Sequence, residues 1–261
     1  MSAVPSPAAL FDLSGTRAAV VGGTGVLGGR FAHCLAAAGA EVAVLGRNGI
    51  RGEAVVQEIV SAGGHAKFLE VDVQDRESIE VAAETLATSG GLDVLVNAPG
   101  VNCSTPFEEL DDQEWNRVLD VNLTSAFRTV QTLVPQMTDR PLGASIINVS
   151  SASSGPPLSR VFAYGVAKAG LNNATQYLAR ELAPAGIRVN ALVPGFFPAE
   201  QNRALLTADR IAAIEGHTPM RRLGSPHELD GALLWLAAPR ASGFVTGTLI
   251  RVDGGFSAMT I

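Results

Sequence analysis

Seven short runs rich in Val, Ile, Leu and Ala recur along this chain, at 18–21, 41–45, 66–71, 92–97, 145–149, 188–193 and 248–252. Several are nearly continuous in apolar residues, which suits strands covered on both faces. Between them, segments such as 51–62 and 75–88 place apolar residues at the three- and four-residue spacing of a helix that packs on one side. Asp111 or Asp112 stands where a side chain caps a helix running through Trp115 and Leu119. Strands that alternate with helices pair in parallel through right-handed crossovers, because each helix returns the chain to the same end of the sheet. The expectation is a doubly wound, Rossmann-like parallel α/β sheet of about seven strands, in a single domain over 1–261 that begins with a lead over 1–14.

Composition narrows what such a sheet can serve. A net charge of −6 offers no surplus of Lys and Arg for nucleic acid or for an anionic membrane. The start of the chain, Met-Ser-Ala-Val-Pro-Ser-Pro, lacks the basic and apolar regions of a signal peptide. The longest uncharged stretch, 141–159, is broken by Pro, Gly and Ser, so no membrane span is expected. The two cysteines, Cys34 and Cys103, both lie in apolar segments, which points to free thiols and a reducing cytoplasm. His33, His65, His217 and His227 are scattered without ligand spacing, and no metal site is expected.

The first strand runs into Val21-Gly22-Gly23-Thr24-Gly25-Val26-Leu27-Gly28-Gly29, and a helical pattern follows. In a βαβ unit such a turn brings backbone N–H groups close to a pyrophosphate and aims a helix N-terminus at its charge. Glycines in a tight turn need no ligand, so the position between first strand and first helix carries the reading. The second strand ends Val44-Leu45-Gly46-Arg47-Asn48, where an acid would accept from the ribose 2′-hydroxyl and repel a 2′-phosphate. Gly46 does neither, and Arg47 suits that phosphate, which favours NADP(H) with NAD(H) as the alternative. A solvated turn arginine is the plainer account of Arg47. Asp72, with Val73 beside it after the third strand, is placed to accept from the adenine amino group or, equally, to cap a helix.

Tyr164 and Lys168 stand four apart on one face of a helical segment. The strand at 145–149 ends in Ser150-Ser151, at the carboxyl edge where open α/β sheets bind ligands, and Asn122 follows an earlier helix. Taken together these residues resemble the short-chain dehydrogenase/reductase family. The likeness runs from residue 18 to Val252-Asp253-Gly254-Gly255 and includes the family's Y-x-x-x-K as Tyr164 and Lys168. Its serine, thirteen residues before the tyrosine, is Ser151; its structural asparagine is Asn122; its Pro-Gly after the sixth strand is Pro194-Gly195.

The resemblance implies an NAD(P)-dependent oxidoreductase acting on a carbonyl or secondary alcohol, with Asn122, Ser151, Tyr164 and Lys168 as its catalytic set. Tyr164 would exchange the proton, Ser151 would hold the substrate oxygen, Lys168 would hold the nicotinamide ribose, and Asn122 would anchor a water on the path from Lys168 to solvent. A free phenol has a pKa near 10, so about one in a thousand is ionised at pH 7. The family's lysine and nicotinamide charges would favour the phenolate. The cofactor would lie along Gly22, Thr24, Gly25, Val26, Leu27, Gly28, Asn97, Ala98, Gly100, Pro194, Gly195 and Phe197, besides Arg47, Asp72, Val73, Tyr164 and Lys168. The family also implies a homotetramer or dimer.

Several positions depart from the family pattern. Val21 and Val26 replace a threonine and a glycine of the first turn, Ala98 and Pro99 alter the loop after the fourth strand, and Ala199 stands near an expected threonine. The segment 195–225, which begins Pro194-Gly195-Phe196-Phe197-Pro198, is expected to cover substrate and resembles a subgroup of D-mannonate oxidoreductases and fructuronate reductases. A sugar acid or polyol needs a cation for a carboxylate and amides or hydroxyls for its hydroxyl groups. Asn102, Ser153, Arg160, Phe196, Gln201, Asn202 and Arg203 are the candidates, although solvated or packing roles explain each of them too. A 3-oxoacyl thioester reductase shares the catalytic set but would want a basic docking face. A nucleotide-sensing or scaffold protein without turnover would have no need of all four catalytic residues.

Overall fold

The computed structural model describes residues 6–198 and 207–259. Seven strands form one sheet in the order β3-β2-β1-β4-β5-β6-β7, with every neighbouring pair parallel. They are β1 (Arg17–Val21), β2 (Glu41–Gly46), β3 (His65–Glu70), β4 (Val94–Asn97), β5 (Ala144–Val149), β6 (Ile187–Pro194) and β7 (Leu249–Val252). The helices are α1 (Pro7–Leu10), α2 (Val26–Ala37), α3 (Gly49–Ser61), α4 (Arg76–Thr88), α5 (Asp112–Leu119), α6 (Ser125–Leu133), α7 (Phe162–Leu182), α8 (Ala208–His217), α9 (Asp230–Ala237) and α10 (Pro239–Ser242).

The central strands read as unbroken apolar runs because each feeds two cores. In β1, Ala18 and Val20 join α2 and α9 on one face, while Ala19 and Val21 join α4 on the other. The outer strands β3 and β7 are only partly buried, as edges must be, and so depart from the expectation of cover on both faces. The run at 92–97 yields a shorter strand than its apolar pattern suggests. Leu92 is buried but its N–H donates to Gln136, and the Asp93 carboxylate accepts from Arg17 N–H at 2.8 Å and Arg140 Nε at 2.6 Å.

In the described part of the expected lead, Ser6 caps α1, and Leu13 is fully buried with its N–H donating to Ala38 O at 2.9 Å. Asp111 caps α5, accepting from Glu114 N–H at 2.7 Å. Among the described residues no helix is long and apolar enough to cross a membrane. Both cysteines are buried free thiols.

The strand order reverses direction between β1 and β4, so the loops leaving these two strands part at the carboxyl edge of the sheet. That crevice is where a doubly wound sheet binds ligands.

Candidate active site

The turn after β1 meets the loop after β4 backbone to backbone. Gly22 adopts a left-handed φ of 77°, and a Cβ there would lie 2.9 Å from the carbonyl carbon and oxygen of Ala98. Gly28, in the first turn of α2, faces the same turn: a Cβ would lie 2.8 Å from the Gly22 carbonyl carbon and 3.0 Å from Gly23 Cα. Only glycine fits either place. Helix α2 starts at Gly25 with no side-chain cap, unlike α3, α4 and α5, which are capped by Asn48, Asp75 and Asp111. Its first N–H groups therefore face a narrow cradle that a phosphate can fill, and the residues present fit a dinucleotide.

The end of β2 carries a second constraint. A Cβ on Gly46 would fall 2.7 Å from Thr24 Oγ1 and 2.8 Å from its Cγ2, so the Thr24 side chain occupies the space an acidic residue would need. Arg47 is mostly exposed and 3.8 Å from Asp72, an ion pair too open to water to hold it firmly. Asp72 closes its own turn, its Oδ1 accepting from Gln74 N–H at 2.9 Å, and the cap of α4 is Asp75. Val73 packs against the core beneath α4. Asn97 lies buried in the sheet, its Nδ2 donating to Asn148 Oδ1, whose own Nδ2 donates to Thr175 Oγ1, both at 2.9 Å.

On the other side of the cleft, β5 delivers Ser150 and Ser151. Ser151 opens a short 3-10 turn; its Oγ accepts from Ser153 N–H at 3.1 Å and hydrogen-bonds the Tyr164 phenol. Asn172, two turns beyond Tyr164 on α7, braces this loop. Its Nδ2 donates to Ser154 Oγ at 2.7 Å, and that hydroxyl donates to Ser151 O at 2.6 Å. Tyr164 is half-buried against Cys103, Val118 and Ala163.

Lys168, one turn further along α7, is 3% exposed. Its Nζ donates to Val149 O at 2.9 Å and Pro99 O at 3.4 Å and lies 5.6 Å from the Tyr164 ring centroid. Burial pushes Lys168 down to about 7 and pushes the Tyr164 phenol up, with the Ser151 hydrogen bond acting against the rise. The lowering of Tyr164 that the family resemblance implies is thus not produced by the protein's own groups.

Burial of Lys168 has a consequence for stability. Between about 7 and its ordinary 10.5, the folded chain binds fewer protons at this residue than the unfolded chain does, so stability rises with pH across that window. The penalty is complete below about 7 and fades toward 10.5. Cys34, pushed up to about 12 by burial, acts in the opposite sense only as pH passes the ordinary thiol range. From about pH 7 to about pH 8.5 the cofactor-free protein is expected to gain about 1.5 kcal/mol from Lys168. Urea midpoints at the two pH values measure it, and Lys168→Met should remove that part of the slope.

Asn122 lies beneath the cleft, 1% exposed, in a π-helical turn over Asp120–Thr124 that joins α5 to α6. Such single wide turns recur at functional sites. Asn122 Nδ2 donates to Val118 O and to Val101 O, each at 2.8 Å, and so ties the helix to the loop after β4. Its Oδ1 is buried with no partner.

The cleft itself is a cavity of about 240 Å³. It is lined by Gly22, Gly25, Val26, Leu27, Gly28, Ala98, Gly100, Asn102, Ser151, Ser153, Tyr164, Lys168, Pro194, Gly195, Phe196 and Phe197 from the sequence reading. Thr24, Arg47, Asp72, Val73, Asn97 and Asn122 are not in its walls. Arg160, exposed and with a left-handed φ of 61° in the loop before α7, is not in these walls; it lines two neighbouring recesses, one of them shared with Arg210. Gln201, Asn202, Arg203 and Ala199 lie outside the described residues.

Sequence reasoning missed Arg51 and Arg210, which both line the cleft. Arg51 follows Arg47 by four residues across the start of α3, a spacing that would have signalled it. Among the described lining residues there are three cations, Arg51, Lys168 and Arg210, and no carboxylate.

Comparison with known proteins agrees with this geometry. Residues 25–257 match the family model for enoyl-(acyl carrier protein) reductase. An uncharacterized oxidoreductase, UxuB, of Bacillus subtilis strain 168 is 40% identical over 271 residues, covering 95% of this chain and 96% of the relative. The crystal structure of a gluconate 5-dehydrogenase from Burkholderia cenocepacia J2315 in complex with NADP and tartrate superposes with a TM-score of 0.93 at 30% identity, covering 98% of this chain and all of that one (100%). A candidate D-mannonate oxidoreductase from Haemophilus influenza with bound NAD superposes with a TM-score of 0.91 at 34% identity, over 98% of this chain and 99% of that one.

Proposed function

The chain belongs to the short-chain dehydrogenase/reductase family of oxidoreductases, and we propose that it interconverts the carbonyl and secondary alcohol of a sugar acid with NADP(H) as the favoured cofactor. The observation that carries this reading is the cleft wall, in which Ser151, Tyr164 and Lys168 stand opposite the glycine turn and beside Arg210. An anionic cofactor and an anionic substrate both suit such a wall, in a chain whose overall charge is −6. The relatives that act on or are named for gluconate and mannonate support the same class.

The uncapped start of α2 would hold the pyrophosphate, and Pro194, Gly195 and Phe197 would border the nicotinamide. When bound, the nicotinamide gives or takes the hydride. Tyr164 then donates its phenolic proton to the substrate oxygen on reduction and takes it back on oxidation. Ser151, already hydrogen-bonded to that phenol, is placed to donate to the same oxygen and fix its direction. Lys168, held near neutrality by burial, is suited to gain and lose a proton at working pH and so to recharge Tyr164. Asn122 holds the loop carrying Pro99 and Gly100 against the helix pair below, which keeps the carbonyl partner of Lys168 in place. Gly195, Phe196 and Phe197, the described start of the segment expected to cover substrate, would meet the substrate at the cleft wall.

Arg47, exposed and loosely paired, would take the 2′-phosphate, and Gly46 beneath Thr24 leaves no room for the acid that would repel it. The exposed apolar residues Phe127, Phe162, Val166 and Tyr177 on α6 and α7 favour a homodimer or homotetramer. The buried thiols suit a cytoplasmic protein.

A second reading, reduction of a 3-oxoacyl thioester, is favoured by the acyl carrier protein named in the family model. One assay separates the two: purified protein with fructuronate, other keto-sugar acids, simple ketoses and an acetoacetyl thioester, each with NADPH and NADH. Reduction of a keto-sugar acid, faster with NADPH, is the expected result. Activity on the thioester alone would discard the sugar-acid reading, and a clear preference for NADH would discard the role given to Arg47.

A further inference from the structure

We propose that Arg210 is the subsite for the substrate's carboxylate, a position set by the fold rather than by any sequence motif. The inference rests on the sugar-acid reading above and names the residue that would enforce it. Arg210 is half-buried in the first turn of α8 and lines the cleft together with Ser151, Tyr164 and Phe196.

Its partners set it apart from the arginines that pair with a carboxylate; Arg76, Arg188 and Arg221 also donate to neutral oxygens, but they do not line the cleft. Arg17, Arg30, Arg117, Arg128, Arg140 and Arg222 each pair with a carboxylate. Arg210 instead donates through one terminal nitrogen to Ser159 O at 2.8 Å and through the other to Ser159 Oγ at 3.3 Å, both neutral oxygens. Those bonds hold the guanidinium in place without neutralising it, and among the described residues no carboxylate pairs with it. A guanidinium has five N–H groups in a planar fork, so donors remain for a second acceptor. Arg210 also borders the adjacent recess, which it shares with Asp209 and Arg160; neither of those two lines the cleft.

The other cations of the cleft are assigned elsewhere. Lys168 is buried against two carbonyl oxygens, and Arg51 enters from α3, at the glycine-turn end where the dinucleotide would lie. Arg210 is the cation on the side of Phe196 and Leu158, where the substrate-covering segment begins. A carboxylate there would accept a charge-assisted, geometrically fixed pair of hydrogen bonds.

The test compares kcat/KM for 5-keto-D-gluconate with kcat/KM for a neutral ketose, using NADPH, in the wild type and in Arg210→Met, Arg210→Gln and Arg210→Lys. Gln keeps a donor for Ser159 and serves as the neutral variant if Met disturbs folding. The acid-to-ketose ratio is expected to fall about tenfold to hundredfold in the neutral variants, with Lys in between. If ketose turnover is too slow to read, the same loss should appear as a raised KM for the acid with kcat within a few-fold. A ratio unchanged in the neutral variants, or a Lys variant no better than they are, would overturn the role of Arg210 while leaving the sugar-acid reading standing. A wild type that does not prefer the acid overturns that reading, and this proposal with it.

Discussion

Tyr164→Phe is expected to lower kcat about a thousandfold in either direction while changing dinucleotide affinity no more than a few-fold. The substitution removes one oxygen from a half-buried ring that packs on Cys103, Val118 and Ala163, so the fold and the glycine cradle should be untouched. What disappears is the only phenol in the cleft, together with its hydrogen bond to Ser151. Burial raises the phenol, and nothing in the described protein but Ser151 pulls it down. The phenol is therefore protonated at neutral pH in the cofactor-free protein. Single-turnover rates with NADPH, beside a direct titration of NADPH binding, measure both halves of the expectation. Turnover within tenfold of the wild type would remove Tyr164 from the chemistry.

Gly28→Ala should do the opposite, sparing the acid–base residues and damaging the cradle. The new methyl group meets the Gly22 carbonyl carbon and Gly23 Cα, both backbone, so the turn itself must move. Such overpacking costs about 1–3 kcal/mol, more than the roughly 1 kcal/mol that alanine gains over glycine inside a helix. Because the displaced atoms are those that would face the pyrophosphate, the larger effect falls on binding. The dissociation constant for NADPH is expected to rise at least about tenfold, measured by quenching or calorimetry. An unchanged constant would mean that the dinucleotide does not lie in this turn.

How far the sequence could be read depends on where each residue's role is decided. The central strands were legible because burial on both faces leaves a continuous apolar run, and β1, β2 and β5 show it plainly. The edge strands β3 and β7 give a weaker pattern for the same reason, since one flank faces solvent. Tyr164 and Lys168 were legible as a pair four apart on one helix face, and Ser151 through its place in the family's motif. The π-turn around Asn122 was not, because the two flanking helices are too short for their apolar spacing to reveal the shift in phase that one extra residue causes.

Arg210 was missed for a different reason. It lies 46 positions after Tyr164, and only the fold of the chain beyond β6 brings it back to the cleft. Arg160, close in sequence to Tyr164, lines the neighbouring recesses and not the cleft. Nearness along the chain was a fair guide within one helix and a poor one across a loop.

The contact between Thr24 and the bare Cα of Gly46 ties two distant positions into one unit of inheritance. An acidic residue at 46 is the simplest way for a sheet like this to turn from NADP to NAD, yet the space is already taken by a threonine from another turn. A side chain placed at 46 obliges Thr24 to turn away or to be replaced, so the two positions are coupled. Repacking at 24 is then part of the change, a step that brings no new specificity by itself. The coenzyme preference of such a protein would then be conserved by the order in which mutations can be accepted, as well as by the advantage of the coenzyme itself.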